Sequence, residues 1–245
     1  MAFAIKKTVA GADVHEICMA TDTFVDEEIK KIFNNKKSKH LERGIAFPCC
    51  LSINEVAGHY SPLKEESRAL ADGDVVSIDL GAHMDGFAAL AAQTIVIGGA
   101  AKGRQADVVL AAHAAFQAVT KMMQPGTKNT DMTAMIERCT KQFDCEPLHG
   151  VLSYKNKQHM IDGGDCILNK HIPDQKPKDW ELAAGDVICI DIYASTGTGV
   201  SRQAQETRCT VHKREIDVQY SLKSKHSRAF LTIVNEKYPT MPFST

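Results

Sequence analysis

A decapeptide that occurs twice constrains the fold more than any other feature of the chain. Ala71-Asp72-Gly73-Asp74-Val75-Val76-Ser77-Ile78-Asp79-Leu80 returns as Ala183-Ala184-Gly185-Asp186-Val187-Ile188-Cys189-Ile190-Asp191-Ile192. In each copy a Gly-Asp turn precedes a β-branched run ending near an aspartate. Side chains alternate along a strand, so Val75, Ser77 and Asp79 share a face, as do Val187, Cys189 and Asp191. Helical periodicity fills the stretch between the copies. The pattern predicts two related αβ halves, with Asp79 and Asp191 at equivalent strand positions meeting near a pseudo-axis. The alternative is a chance match of two common turn-plus-strand patterns.

Local periodicity supplies the elements around this repeat. Val14, Ile17, Cys18, Thr21, Ile29, Ile32 and Phe33 recur at helical spacing over 13–33, with lysines late. A basic stretch follows, through Lys36, Lys37, Lys39 and Arg43. Phe47-Pro48 opens a strand-like run to Tyr60. Val108, Ala112, Ala115, Phe116, Val119 and Met123 share one face of a helix over 107–123 that Pro125-Gly126 stops. A second helix is predicted from an N-cap at Thr130. Residues 169–180 read as a surface loop, 212–228 as basic and polar, and 228–236 as a short helix.

Composition excludes several classes. The chain has 245 residues, 44% hydrophobic and 24% charged, enough to bury a real core. A formal net charge of -1 provides no global field toward nucleic acid or membrane, so any nucleic-acid surface must be a local patch. No apolar run is long enough to span a bilayer, and the N-terminus lacks a signal-peptide core. Eight cysteines without a C-x-x-C pair read as reduced, buried thiols of a cytosolic or nuclear protein. No histidines have H-x-x-x-H spacing, so a zinc helix has no support.

Two carboxylates at the centre of a domain invite a metal, and a two-metal hydrolase needs several carboxylates plus a histidine. Here Gly86-Phe87-Ala88-Ala89-Leu90-Ala91-Ala92 is apolar where a second acid would sit, and Leu152-Ser153-Tyr154-Lys155 offers no histidine. His59, Asp79 and Asp191 remain, too few for a dinuclear centre.

Gly44-Ile45-Ala46-Phe47-Pro48, Asn54, His59-Tyr60-Ser61-Pro62-Leu63 and Ile78-Asp79-Leu80-Gly81 resemble the type II methionine aminopeptidases of peptidase family M24. Lys157-Gln158-His159-Met160-Ile161-Asp162-Gly163, Ser227-Arg228-Ala229-Phe230 and Met241-Pro242-Phe243 resemble their non-peptidase branch, the proliferation-associated (ErbB-receptor-binding) proteins. So do Gly103-Arg104-Gln105-Ala106-Asp107-Val108 and Tyr220-Ser221-Leu222-Lys223. The resemblance covers nearly the whole chain. It implies an α/β (α+β) pita-bread fold: two pseudo-symmetric halves, a curved central sheet and outer helices. One aminopeptidase-like domain over 1–245 is expected, with 212–240 as the type II-like insertion.

Residue by residue, the resemblance places Asp79 at the first bridging metal aspartate and Leu90 at the second. Tyr154 stands at the metal histidine, Asp162 at a substrate-side histidine and Asp191 at a metal glutamate, while His59 keeps a substrate-side histidine. The final glutamate has no counterpart, because the family's remaining strands and lysine-rich tail would follow Thr245. The start is expected to be short by part of a helix, and the end to be truncated. The resemblance therefore implies a pseudo-aminopeptidase without a cofactor. Its expected partners are the ribosomal large subunit near the nascent-chain exit and structured RNA, with protein partners left open and neither membrane nor small-molecule substrate. Location would be cytoplasmic with a nuclear and nucleolar pool. Lys36, Lys37, Lys39, Lys155, Lys157, Lys213, Arg214, Lys223, Lys225 and Arg228 are the candidate RNA contacts. With 6% aromatic residues and no stacking motif, binding would follow backbone and shape. The rivals are a metal-dependent methionine aminopeptidase and a non-catalytic peptide-binding module.

Overall fold

The computed structural model describes residues 1–38, 40–173, 177–203 and 208–245. The chain divides into two compact units, the first comprising 1–98, 158–160 and 206–245 and the second 99–157 and 161–205.

The first unit opens with helices α1 (Ala2–Lys7) and α2 (Val14–Lys31). Asp13 caps α2 by accepting the Glu16 N–H, which satisfies one of the donors every helix start leaves open. Strands β1 (Arg43–Ile53), β2 (Val75–Met84) and β3 (Phe87–Val96) form an antiparallel sheet in that order. Asp85 and Gly86, with φ of 52° and 78°, make the tight β2–β3 turn, a left-handed pair suited to the strand twist. Val14, Ile17 and Cys18 of α2 pack on Cys49, Leu51 and Ile53 of β1 and Val76 and Ile78 of β2.

The expected strand over 47–60 needs correction. β1 already begins at Arg43 and ends at Ile53, where Asn54 turns the chain with φ 53°. Pro48 sits inside it, at an irregularity in pairing between Phe47 and Cys50. Proline has no N–H to give a ladder, so the register skips there.

The second unit packs α3 (Arg104–Met122) and α4 (Asn129–Lys141) against small strands. These are β4 (Glu146–Pro147), β5 (Leu152–Asn156), β6 (Cys166–Leu168), β7 (Val187–Cys189) and β8 (Ala194–Ser195). β5 lies between β6 and β7, and β4 pairs with β8. Ala115 and Val119 of α3 meet Met132 and Ile136 of α4 and Ile167 of β6 in its core. The α3 face is rotated from expectation: Ala111, Ala115 and Val119 are buried while Phe116 is exposed. The α4 N-cap is Lys128 rather than Thr130, because the Asn129 amide turns inward to the carbonyls of Cys166 and Lys178.

The chain returns to the first unit with β9 (Val211–His212), α5 (Lys225–Lys237) and β10 (Phe243–Ser244), β10 pairing with β9. Val234, Met241 and Phe243 are buried here. All eight cysteines are free thiols; Cys18, Cys49, Cys50 and Cys145 are buried, but Cys209 is exposed. Among the described residues no helix is long and apolar enough to cross a membrane.

The repeated decapeptide gives the same turn twice and two different strands. Asp74 accepts the Ala71 N–H at 2.9 Å and Asp186 accepts the Ala183 N–H at 2.9 Å, and Gly73 and Gly185 have φ of 86° and 93°. Each aspartate also meets a cation, Arg68 at 3.3 Å and Lys155 at 2.7 Å. Beyond the turns the copies part. β2 runs ten residues with neighbours on both sides, whereas β7 has three and pairs with β5 alone. Asp79 therefore lies within a strand and Asp191 beyond the end of one, which corrects the expected equivalence.

Candidate functional site

In the first unit, Asp79 sits in mid-β2, 9% exposed, opposite Cys50 of β1 and Ala92 of β3. Burial pushes the Cys50 thiol up, and the Asp79 charge adds to it. Leu90 pairs with Gly81, two residues along β2. Its Cδ2 lies so close over Gly81 that a Cβ there would overlap it, and Phe47 Cβ would be 3.2 Å from that Cβ. Hydrocarbon thus covers β2 at Gly81. His59 is exposed, outside any strand, with φ 59° and its ring 5.2 Å from that of Phe47. The expected strand position of His59 is corrected, since the chain has already left β1 at Asn54.

In the second unit, Tyr154 lies on β5, in register with Cys166 and Cys189. Its hydroxyl is raised above the ordinary range by burial first, with the charges of Cys166, Asp162 and Asp191 adding. Tyr154, Asp162 and Asp191 are therefore electrostatic neighbours. The Asp191 backbone is fixed by Ser153, whose Oγ accepts its N–H at 2.8 Å and donates to its carbonyl at 3.2 Å. Among the described residues, no group of three or more His, Cys, Asp or Glu could hold a metal ion. Within its own unit, neither Asp79, near Leu90, nor Asp191, near a protonated phenol, has the converging anionic oxygens and imidazoles that a dinuclear centre needs.

The basic candidates divide by exposure. Lys36, Lys157, Lys223, Lys225 and Arg228 are exposed, although Arg228 Nη1 also donates to the Leu222 and Lys223 carbonyls at 3.1 and 2.9 Å. Lys213 and Arg214 are half-buried, and Arg214 Nε is buried with no hydrogen-bond partner among the described residues. Lys39 and the side chain of Lys37 lie outside the described residues. Lys155 differs from these in its surroundings. Its side chain is 22% exposed, pairs with Asp186 at 2.7 Å and Asp165 at 3.9 Å, and lies 5.8 Å from the Trp180 ring centre. It is committed to the repeat's second turn, not displayed for a phosphate. Its partners lie too far along the sequence for periodicity to reveal; the Arg68–Asp74 pair is the counterpart in the first copy.

Sequence reasoning also missed Arg43 as more than a positive charge. Its guanidinium binds four main-chain carbonyls of the loop between α2 and β1, and carbonyl acceptors leave no mark in a sequence.

The model of metallopeptidase family M24 matches residues 4–209. Proliferation-associated protein A of Dictyostelium discoideum is 42% identical over 243 residues, covering 98% of this chain and 62% of that protein. ErbB-3 binding protein 1 of Arabidopsis thaliana is 40% identical over 234 residues, covering 95% of this chain and 59% of that protein. The chain thus spans about three-fifths of the length of these curated relatives. The solved structure of a thermophilic Arx1 superposes with a TM-score of 0.90 at 26% identity, covering 99% of this chain and 71% of that one. The chain has a mixed α/β pita-bread fold, belongs to the metallopeptidase family M24, and is a homologue of its proliferation-associated, ErbB-3-binding proteins.

Proposed function

We propose that the protein is a catalytically inactive aminopeptidase homologue acting as an RNA- and ribosome-associated factor. The observation that carries this reading is Leu90 lying over Gly81, with hydrocarbon where a bridging carboxylate would be required. Tyr154 in place of a metal histidine supports it. What remains for function is the outer surface, where Lys36, Lys223 and Lys225 of the first unit are exposed. Residues 212–240, which carry two of them, are assigned as the type II-like insertion. The partner is the large ribosomal subunit near the nascent-chain exit, in ribosome maturation or growth control. The protein would be cytoplasmic with a nuclear and nucleolar pool.

Ribosome co-sedimentation over a salt series tests this. Each cation that neutralises a phosphate releases condensed counterions, so binding should fall steeply with salt. Lys36→Glu with Lys37→Glu, and Lys223→Glu with Lys225→Glu, should weaken binding and flatten that slope. Arg228 is left intact because its guanidinium also holds the 222–224 turn. His59→Gln, Asp79→Asn and Asp191→Asn should leave binding unchanged. If those three abolish it while the lysine reversals do not, a peptide-binding pocket replaces the basic surface as the explanation.

A further inference from the structure

One side chain gathers four carbonyls of the loop joining α2 to β1. Arg43 Nε donates to the Ile32 carbonyl at 3.0 Å and Nη1 to that of Leu41 at 2.7 Å. Nη2 donates to the carbonyls of Phe33 at 2.9 Å and Ser38 at 2.8 Å. The planar donor fork of a guanidinium can gather several acceptors in this way, and a lysine ammonium cannot. The Phe33 carbonyl is the hub, since it also accepts the Asn35 N–H at 2.9 Å and the Ser38 hydroxyl.

Phe33 combines a fixed backbone with a free ring. Its φ of 49° is in the left-handed region, which a bulky L-residue adopts only at a cost in energy. Its side chain nevertheless adds nothing to the core, because the residue is 62% exposed. Positive charge that is not neutralised within α2 comes from the loop. Lys36 is exposed on the same loop, and Lys30 and Lys31 end α2, each paired with an acid of its own helix. Among the described residues, its sequence neighbour Ile32 adds large apolar exposure beside Phe33. Two such side chains among lysines are less than the contiguous apolar patch a protein dock presents. An exposed aromatic face beside cations is the arrangement that binds unpaired nucleotides, with the ring taking a base and the cations the phosphates.

We propose that Phe33 is a stacking platform for an unpaired base of single-stranded RNA, with Lys36 taking a flanking phosphate. Arg43 is the positioning residue that holds the platform out. The proposal rests on the RNA-binding reading above and extends it from backbone contact to stacking. Stacking is tolerant of sequence because every base has a π-face.

The test is fluorescence anisotropy of the full chain with a labelled oligouridine and with an RNA duplex, each over a salt series. Phe33→Ala should weaken oligouridine binding about 5- to 160-fold, the range of one base–aromatic stack. The salt slope should not change, because stacking releases no counterions, and duplex binding should stay within about twofold. Arg43→Lys keeps the charge but loses the carbonyl fork. It should lose as much oligouridine affinity as Phe33→Ala, and the double variant should be no worse than either. Amide exchange in 32–41 should accelerate in Arg43→Lys. Wild-type binding with a normal slope and no loss in Phe33→Ala would overturn this proposal alone. Fully additive losses would overturn the positioning role of Arg43. No salt-dependent RNA binding by the wild type would overturn the broader reading as well. If Phe33→Ala releases the protein from ribosomes but not from either RNA, the ring docks on protein and the stacking proposal fails.

Discussion

Asp22 shows how one residue's environment sets a pH dependence. Its carboxylate accepts the Cys49 N–H at 2.8 Å and so ties α2 to β1. Burial pushes its pKa up to about 6, and the backbone hydrogen bond offsets only part of that. A folded pKa above the unfolded value means that the fold favours the proton. Stability from this group is full below about pH 4, declines as pH rises toward 6, and stays reduced above it. Asparagine keeps an acceptor without the charge. Asp22→Asn should therefore raise unfolding stability by about 1–3 kcal/mol near pH 7.5, the upper end being the whole shift at 1.36 kcal/mol per unit. Near pH 3.5 the gain should vanish. Urea denaturation at the two pH values checks this, and a loss at neutral pH or a gain independent of pH would contradict it. None of this was legible in the sequence, where Asp22 is one acid on a helix. By contrast, Leu90 and Tyr154 stood out as misfits once the flanking motifs placed them.

At the scale of elements, the β2–β3 hairpin sets the packing around Gly81. Gly81 and Leu90 face each other across the pair, and Leu90 Cδ2 occupies the space a Gly81 Cβ would need. Gly81→Ala should destabilise the protein by about 1–3 kcal/mol, the usual cost of overpacking a closed contact. Adding Leu90→Ala should recover part of that loss, because coupled neighbours are not additive. Thermal unfolding of the two single variants and the double variant gives the cycle, and simple additivity would show that Leu90 does not fill the space over Gly81. Helices α2, α3 and α4 were legible because period and stop signals agree. The extent of β1 was not, since Pro48 looks like a boundary until a bulge absorbs it. Nor was the brevity of β7, because a β-branched run predicts a strand while ladder length depends on which neighbours exist to pair. The paired turns at Asp74 and Asp186 were legible as a repeat, but their cations, Arg68 and Lys155, were not.

At the scale of the whole molecule, the chain keeps the fold of metallopeptidase family M24, and the proposed function requires that it has no working metal centre. Each of the two compact units has its own apolar core. The family resemblance would place Leu90 and Tyr154 at two of the ligand positions, and their side chains suit packing better than coordination. The family and its fold were legible from motifs spread along the chain, among them the two Gly-Asp turns and a His-Tyr-Ser-Pro-Leu run. How individual cations are used was not legible, since burial separates Lys155 from Lys36 although both read as surface lysines. The most direct test is titration calorimetry of the metal-stripped protein with cobalt(II) and manganese(II), followed by assay for methionine release from a Met-Ala-Ser peptide. The expected result is no stoichiometric binding and no release. Tight uptake of two metal ions per chain with measurable turnover would contradict the account.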